Sequence, residues 1–234
     1  MKLKILELLF PTICPYCNKV INYDNEYGFC ENCRNSIELV VEPREIVRYN
    51  ESTVICISPF KYERQVRKAI HEFKFKGKSN YKHMFAKSMY NSLVAYCGEN
   101  INLYDVITFI PFSRKQKISR EYNHSMLLAK ALANRLKLPC RKLIKKVADN
   151  KTQHKLKASE RIENVKNVYE VLNINKVKDK NIILCDDIVT TGSTLKENVN
   201  KLMEAGAKSV ICVTLASAYI GENKKIYGGD NNDT

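Results

Sequence analysis

Apolar and polar positions along the chain form a repeating pattern of short buried strands followed by amphipathic helices. Residues 182–185 are a β-branched apolar run, typical of a strand buried on both faces of a sheet. Apolar residues then recur at helical spacing from Leu195 to Met203, and Gly206 marks the expected end of that helix. Residues 210–215 are again apolar. The segment therefore predicts a β-α-β unit whose first loop lies at the carboxyl end of its strand.

The same pattern indicates how the rest of the chain is organised. Strands that alternate with helices predict an α/β fold with a parallel sheet. We expect this fold in a domain of residues 51–234 and a small separate module in residues 1–50. The further predicted elements are strands at 53–57 and 105–110 and helices at 62–75, 84–96 and 127–136.

Two carboxylates and a hydroxyl-rich loop directly follow the 182–185 strand. Asp186 and Asp187 come first, and Thr190-Thr191-Gly192-Ser193-Thr194 leads into the predicted helix. Hydroxyls, a glycine and the free N–H groups of a helix start together favour an anion such as phosphate. Ionised carboxylates accept hydrogen bonds from a vicinal diol and help to hold Mg²⁺. A phosphorylated sugar satisfies both halves of this segment.

Other phosphate-binding loops fit this segment less well. It lacks the lysine and the glycine spacing of a Walker P-loop, and it is not a G-x-G-x-x-G turn. The remaining alternative is an acidic strand end in a receiver-like or Walker-B-like domain. That alternative explains the two aspartates but not the hydroxyls that follow them.

Two Cys-x-x-Cys pairs, Cys14/Cys17 and Cys30/Cys33, lie twelve residues apart near the amino terminus. This spacing allows four thiolates to surround one tetrahedral Zn²⁺. Four sulfur ligands leave no open position for water, so we expect a structural zinc in a module too small to fold alone. A redox pair normally stands alone near a β-α-β unit, and a disulfide does not suit a reducing compartment.

The composition of the chain indicates the cellular compartment of the protein. The nine cysteines are an odd number, which argues against a secreted disulfide framework. No apolar stretch approaches the roughly 20 residues of a membrane span, and residues 1–10 carry charges that the apolar core of a signal peptide lacks. We therefore expect a cytoplasmic protein.

The net charge of +14 is concentrated in the middle of the chain, where residues 61–180 hold 28 Lys/Arg against 10 Asp/Glu. Such a block attracts polyanions, either pyrophosphate-bearing substrates or nucleic acid, with a solvated lysine-rich surface as the alternative. Grooves that hold single-stranded DNA combine cations with aromatic residues. The predicted 62–75 helix and the residue after it show this combination, although its aromatics also suit a core. The candidate DNA-binding cations are Arg64, Arg67, Lys74 and Lys76.

The segment from Asp186 to Thr194 resembles the 5-phosphoribosyl-1-pyrophosphate (PRPP) signature of type I phosphoribosyltransferases. In that signature a hydrophobic strand precedes Asp-Asp-x-x-Thr-Thr-Gly-x-Thr. The resemblance implies that Asp186 and Asp187 hold the ribose 2- and 3-hydroxyls, that Thr190 to Thr194 hold the 5-phosphate, and that Mg²⁺ binds with PRPP. The implied PRPP-binding set is Asp186, Asp187, Ile188, Val189, Thr190, Thr191, Gly192, Ser193 and Thr194.

A basic loop follows the predicted 105–110 strand, at the sheet edge where Asp186 is also expected. Clustered donors and positive charge suit pyrophosphate. Arg114, Lys115 and Arg120 are therefore candidate pyrophosphate ligands, with a solvated turn as the alternative.

Motifs along nearly the whole chain resemble the ComF family. They are the two cysteine pairs, Lys74-Phe75-Lys76-Gly77, Ile110-Pro111, Arg120-Glu121-Tyr122-Asn123-His124, Gln153, Glu160-Arg161, Asn164-Val165 and the PRPP segment. The family joins a zinc ribbon to a phosphoribosyltransferase domain, and some members serve DNA uptake in natural transformation. This chain departs from the family at 120–124, where Arg-Gly-Phe-Asn-Gln is usual, and at Gln116, where a basic residue is common.

The resemblance implies a PRPP-binding phosphoribosyltransferase-like protein of DNA uptake, with other DNA-uptake proteins as candidate partners. No residue is identified as a general base, so whether the protein is an active enzyme stays open. One alternative is a non-catalytic module that binds single-stranded DNA and uses PRPP as a regulatory ligand. Another is an amido- or purine-type phosphoribosyltransferase of nucleotide metabolism, although no glutaminase domain or base-binding hood is recognisable.

Overall fold

The computed structural model describes residues 11–21, 28–40, 42–50, 52–112, 122–147 and 168–218. The helices in these ranges are α1 (Glu31–Ser36), α2 (Arg64–Phe75), α3 (Lys82–Cys97), α4 (His124–Leu136) and α5 (Ser193–Glu204). The strands are β1 (Arg44–Tyr49), β2 (Ser52–Ile57), β3 (Phe60–Lys61), β4 (Val106–Phe109), β5 (Ile144–Lys146), β6 (Tyr169–Val171), β7 (Asn181–Val189) and β8 (Ser209–Ser217). None of these five helices combines the length and the apolar character needed to cross a bilayer.

The main sheet has the strand order β1-β2-β8-β7-β4, and the short β3 also pairs with β8. Strands β2, β8, β7 and β4 run parallel, whereas β1 is an antiparallel edge strand beside β2. The predicted α/β fold with a mostly parallel sheet is therefore confirmed. Because the strands are parallel, the carboxyl ends of β4, β7 and β8 meet at one edge, where Asp186 is level with Thr214.

Strand β7 is longer than the apolar run that predicts it. Its pairing with β8 continues as far as Val189, whose partner is Ser217. Asp186 and Asp187 therefore lie within the strand, rather than in the loop after it. The ladder with β8 fixes the backbone of both aspartates, and a loop of only three residues, 190–192, leads to α5.

The hydropathy pattern does not predict strand β1, which lies within the first fifty residues of the chain. It pairs with β2 from Arg44 to Tyr49, and a β-bulge interrupts this pairing between Glu45 and Val47. Because of the bulge, the extra residue Ile46 and its neighbour Val47 both pack on the side of the sheet that α5 covers. The segment expected to form a separate module thus contributes a strand to the main sheet.

Helices cover both faces of the main sheet. Ile183 of β7 and Val213 of β8 pack against α2, α3 and α4 on one face. Leu184 and Cys212, their neighbours along the strands, pack against α5 and the two-stranded β5-β6 sheet on the other face. Since successive residues point to opposite faces, the central strands are apolar throughout and are buried on both sides.

The cysteine-bearing segment packs directly against this domain. Tyr16 and Phe29 lie edge-on to Phe60, with ring centroids 5.6 and 5.5 Å apart, and all three belong to the core beneath α2, α3 and α4. Gly28 has a φ of +80°, and a Cβ built there would lie 2.6 Å from the carbonyl oxygen of Met84 in α3. Only glycine permits so close an approach to the helix backbone.

Candidate functional site

The candidate site lies at the carboxyl end of β7, where the strand turns into α5. Two other helices contribute side chains to it. Ser125 comes from the first turn of α4, and Lys74 comes from the last turn of α2. The segment 186–194 singled out by sequence is thus completed by residues that lie far from it in the chain.

Asp186 is held by two hydrogen bonds to the same carboxylate oxygen. The Ser125 hydroxyl donates to Oδ1 at 2.6 Å, and the backbone N–H of Asp187 donates to it at 2.8 Å. Burial, together with the adjacent charge of Asp187, raises the pKa of Asp186 to about 7 in spite of these hydrogen bonds. Asp186 therefore keeps its proton to a higher pH than an ordinary aspartate does.

Asp187 forms an ion pair with Lys74. The ammonium nitrogen lies 2.8 Å from Oδ2, and each side chain is only 14% exposed. The ammonium compensates one of the two negative charges at the end of β7. The carboxylate of Asp186 can be compensated by a ligand that carries a bound cation or donates hydrogen bonds from hydroxyl groups.

The four cations grouped together by sequence are separated in the structure. Lys74 lies at the acidic pair, whereas Arg64 and Arg67 are exposed on the outer side of α2 and Lys76 follows the helix. Among the aromatics, Phe73 is fully buried in the core. Phe75 is 55% exposed and lies against His71, with ring centroids 4.9 Å apart. Binding of DNA by this surface stays a prediction.

The loop after β7 and the start of α5 present hydroxyls and backbone N–H groups. Gly192, just before α5, has a φ of +81°, a conformation that glycine adopts without strain. The hydroxyls of Thr191 and Ser193 lie 2.9 Å apart, and Thr190 and Thr194 are exposed beside them. The first turn of α5 carries no acidic side chain. Because a helix start favours negative charge, this end of the site suits a phosphate group.

Ile188 and Val189 lie between the carboxylates and the loop. The side chain of Ile188 packs against the core beneath α2, α3 and α4, whereas Val189 is buried in the core beneath α5. Both side chains therefore anchor the loop from the inside of the protein.

Sequence reasoning does not identify Arg44, which contacts the loop from β1. Its Nη1 donates to the carbonyl oxygen of Thr190, and its Nη2 donates to the carbonyl oxygen of Thr191 at 2.9 Å. Arg44 lies 146 residues before Thr190, in the segment expected to form a separate module. No motif marks it, and only the placement of β1 beside β2 reveals its position.

Arg114, Lys115 and Arg120 lie outside the described residues. The chain that flanks their loop is described on both sides. The N–H of Ile110 donates to the carbonyl of Cys185 at 3.1 Å, and the side-chain amide of Asn123 donates to the carbonyl of Ile110 at 3.0 Å. Ile110 and Asn123, which lie on either side of these residues in the chain, are therefore close to β7. Binding of pyrophosphate by Arg114, Lys115 and Arg120 stays a prediction.

A second cluster of functional groups lies in the amino-terminal segment. Cys14 and Cys17 lie in a turn, and Cys30 and Cys33 lie at the start of α1. The four Sγ atoms all lie within 4.8 Å of one another, and those of Cys17 and Cys30 are 3.5 Å apart. Sulfur ligands about 2.3 Å from a tetrahedral ion are separated by about 3.8 Å, so the cluster has the size of a metal site.

The surroundings of the cluster also fit a metal ion. Burial raises the pKa of the Cys14 and Cys33 thiols, so a cation is needed to keep both ionised near neutral pH. The hydroxyl of Tyr16 is buried and has no hydrogen-bond partner among the described residues, while burial and charge on Cys14 and Cys33 raise its pKa. Ionised sulfur ligands would give this hydroxyl nearby acceptors. The four cysteines can therefore hold a metal ion.

Comparisons with known proteins show the family of this chain. Residues 123–232 match the family model of the phosphoribosyl transferase domain. Over 207 residues the chain is 30% identical to Competence protein ComFC of Bacillus subtilis (strain 168), a match that covers 87% of this chain and 77% of that protein. The chain belongs to the ComF family.

Other relatives support the same ComF-family assignment. Competence protein F of Haemophilus influenzae is 25% identical over 210 residues, covering 88% of this chain and 90% of that protein. DNA utilization protein YhgH of Salmonella typhimurium is 31% identical over 152 residues, covering 62% of this chain and 66% of that protein. These matches are longer than the 123–232 segment, so the similarity to ComF proteins extends beyond the residues that match the family model.

Proposed function

We propose that this ComF-family protein binds PRPP together with Mg²⁺ at the carboxyl end of β7 and acts in DNA uptake. One observation carries the proposal. Two adjacent carboxylates, Asp186 and Asp187, are fixed within the strand, and a hydroxyl-lined helix start follows after a three-residue loop. Carboxylates at this position match a ribose diol, and the helix start matches a 5-phosphate. The names Competence protein F, Competence protein ComFC and DNA utilization protein support the cellular role.

Each part of PRPP has a group that suits it. Asp186 and Asp187 would accept hydrogen bonds from the ribose 2- and 3-hydroxyls, and the segment from Thr190 to Thr194 would hold the 5-phosphate. Mg²⁺, when bound, would neutralise pyrophosphate and stabilise it as a leaving group. Binding of Mg-PRPP requires Asp186 to be ionised, so affinity should rise with pH through neutrality.

The proposal for the cysteine cluster is a structural zinc. Four sulfur donors in a partly buried setting suit Zn²⁺, and they leave no coordination position for a substrate or a reactive water. Cys14 and Cys33 also belong to the core that includes Phe60 of the domain. The ion would therefore stabilise the contact between the amino-terminal segment and the sheet.

Calorimetric titration tests the PRPP proposal. Wild-type protein should bind PRPP only in the presence of Mg²⁺, and Asp186→Asn with Asp187→Asn should abolish that binding. Each charged hydrogen bond lost costs roughly 1.5 to 3 kcal/mol. Unchanged affinity in the double variant would place the ligand elsewhere. Release of pyrophosphate from PRPP with a panel of nitrogen acceptors then separates an active transferase from a protein that only binds PRPP.

A second function, binding of single-stranded DNA, is favoured by the outer side of α2. Arg64 and Arg67 are exposed on that side. Lys76 is exposed just after the helix, next in the chain to the exposed ring of Phe75. Binding in which such cations neutralise DNA phosphates weakens as the salt concentration rises. The logarithm of the affinity falls by roughly 0.7 per phosphate contacted for each tenfold increase in salt.

Substitution on this surface tests the DNA proposal without touching the acidic pair. Arg67→Gln with Lys76→Gln should weaken binding of an oligonucleotide and reduce its salt dependence, while Mg-PRPP affinity stays at the wild-type value. Tight single-strand binding by this variant would show that DNA uses another surface.

A further inference from the structure

The guanidinium of Arg44 forms hydrogen bonds with the backbone of the loop between β7 and α5. One guanidinium nitrogen donates to the carbonyl of Thr190, and another donates to the carbonyl of Thr191. A planar guanidinium that holds two acceptors fixes both their distance and their relative orientation. Two consecutive peptide groups of the loop are therefore held by one side chain from the edge strand.

The orientation of these carbonyls determines where the loop N–H groups point. In a trans peptide unit the C=O of one residue and the N–H of the next point in opposite directions. Carbonyls of Thr190 and Thr191 that face Arg44 therefore direct the N–H groups of Thr191 and Gly192 away from Arg44. An anion at the start of α5 needs donors with this orientation.

The bulge in β1 adds a second contact to the same loop. A Cβ built at Gly192 would lie 3.5 Å from Cδ1 of Ile46 and 3.6 Å from Nη2 of Arg44. Ile46 is the residue that the bulge inserts into β1, and it packs on the side of the sheet that α5 covers. The bulged strand thus supports the loop at Gly192 while the guanidinium holds the two preceding carbonyls.

We propose that Arg44 is a positioning residue. It holds the loop of residues 190–192 in a conformation in which the loop N–H groups can bind the 5-phosphate of PRPP. This inference rests on the proposed function. Arg44 acts through the loop backbone, because its two terminal nitrogens are engaged with loop carbonyls and it approaches from the side opposite to the N–H groups. An edge strand from the amino-terminal part of the chain thereby sets the phosphate affinity of the domain.

The test compares Arg44→Lys with Arg48→Lys. Both changes keep the positive charge, but only Arg44 contacts the loop, since Arg48 is exposed on the same strand and pairs with Glu45 at 3.1 Å. Affinities are measured for ribose 5-phosphate and for Mg-pyrophosphate. Arg44→Lys should weaken ribose 5-phosphate binding by roughly tenfold or more, as expected when hydrogen bonds that support a charged ligand are lost. Its Mg-pyrophosphate affinity, and both affinities of Arg48→Lys, should stay at wild-type values.

Amide hydrogen exchange of the ligand-free protein supplies an independent measurement. Arg44→Lys should accelerate exchange at Lys196, whose N–H donates to the loop carbonyl of Gly192 at 2.8 Å, with the amides of β8 unchanged. Arg44→Gln should do the same if the lysine variant folds poorly. Equal loss of both ligands, or loss of ribose 5-phosphate affinity with unchanged exchange at Lys196, would overturn the positioning role. If wild-type protein binds neither ligand, the proposed function fails, while faster exchange at Lys196 would still support the role of Arg44 in ordering the loop.

Discussion

The ammonium group of Lys74 lies 2.8 Å from a carboxylate oxygen of Asp187, whereas Lys76, two residues later, lies 3.6 Å from Glu72 with 59% of its side chain exposed. Lys74 lies in the last turn of α2, whereas Lys76 follows the helix. The last turn of α2 therefore contributes a lysine to the site, and the residue after the helix contributes a lysine to the surface. This pair offers a matched comparison of a site charge with a surface charge.

Lys74→Gln should shift the pH dependence of Mg-PRPP binding, and Lys76→Gln should not. The charge of Lys74 helps to lower the pKa of Asp186 against the effects of burial and of Asp187. Without it the pKa rises further, so the rise in affinity with pH moves to higher pH, and affinity near pH 7 falls by about tenfold. Calorimetry across neutral and mildly alkaline pH checks this. Equal shifts in the two variants would assign the effect to general surface charge.

Asp186→Asn should flatten the pH dependence of the stability of the ligand-free protein. The pKa of Asp186 is about 7 in the folded protein, against 3.8 as its ordinary value. Between these values the folded state binds more protons than the unfolded state, so this group lowers the free energy of unfolding as pH rises. Its contribution is fully present below about pH 4 and is lost above about pH 7.

Asparagine removes this dependence and keeps an oxygen that accepts from Ser125. Urea unfolding at about pH 4 and about pH 8 should therefore show that Asp186→Asn gains stability relative to wild type as pH rises, although Mg-PRPP binding is lost. Asp179→Asn, at an exposed position, serves as the control. Parallel pH profiles for wild type and Asp186→Asn would contradict the elevated pKa.

Gly28→Ala should weaken the packing of the cysteine-bearing segment on α3. The new Cβ meets the Met84 carbonyl oxygen at 2.6 Å, and the φ of +80° is unfavourable for alanine. Gly77→Ala is the control, because Gly77 also has a positive φ of +66° but nothing lies within 4 Å of a Cβ built there. We expect the control to cost about 1 kcal/mol and Gly28→Ala to cost about 1 to 3 kcal/mol more. Equal thermal unfolding of the two variants would show that the segment does not pack closely against α3.

Removal of zinc should destabilise the whole protein and not only the amino-terminal segment. Cys14 and Cys33 share a core with residues of the sheet and of α3, so disruption of the cluster exposes apolar surface of the domain. Purified wild-type protein should contain one zinc ion per chain. Chelation should lower the melting temperature of the wild-type protein. It should do the same in Cys97→Ser, because Cys97 lies outside the cluster. The Cys33→Ser variant, which lacks the metal, should not respond to chelation. A wild-type melting temperature that does not respond to chelation would argue against a structural metal.

The periodicity of the sequence predicts helices α2 to α5 and the parallel strands β2, β4, β7 and β8 in their order. Burial on both faces gives the central strands a continuous apolar run. The short elements α1 and β3 are not predicted. The periodicity does not predict the full length of β7. Asp186 and Asp187 are poor strand formers, and they remain in the ladder because β8 supplies partners as far as Ser217. Edge strand β1 is missed because Glu45 and Arg48 interrupt its apolar pattern.

Lys74 and Arg44, two of the residues that the structure adds to the site, differ in how far the sequence could have indicated them. Lys74 lies four residues after Ile70, which is fully buried, so the phase of α2 already places it on the inward side of the helix. Lys76 does not share that phase. Arg44 gives no comparable signal, because its partners are backbone carbonyls, and backbone contacts between distant segments leave no mark on side-chain composition.

The most direct measurement is amide hydrogen exchange of the wild-type protein with and without Mg-PRPP. PRPP bound at the carboxyl end of β7 should slow exchange at residues 191–195, where backbone donors meet the 5-phosphate, and leave the amides around Cys14 and Cys33 unchanged. Binding of Mg-PRPP that protects another part of the chain, with residues 191–195 unaffected, would contradict the account.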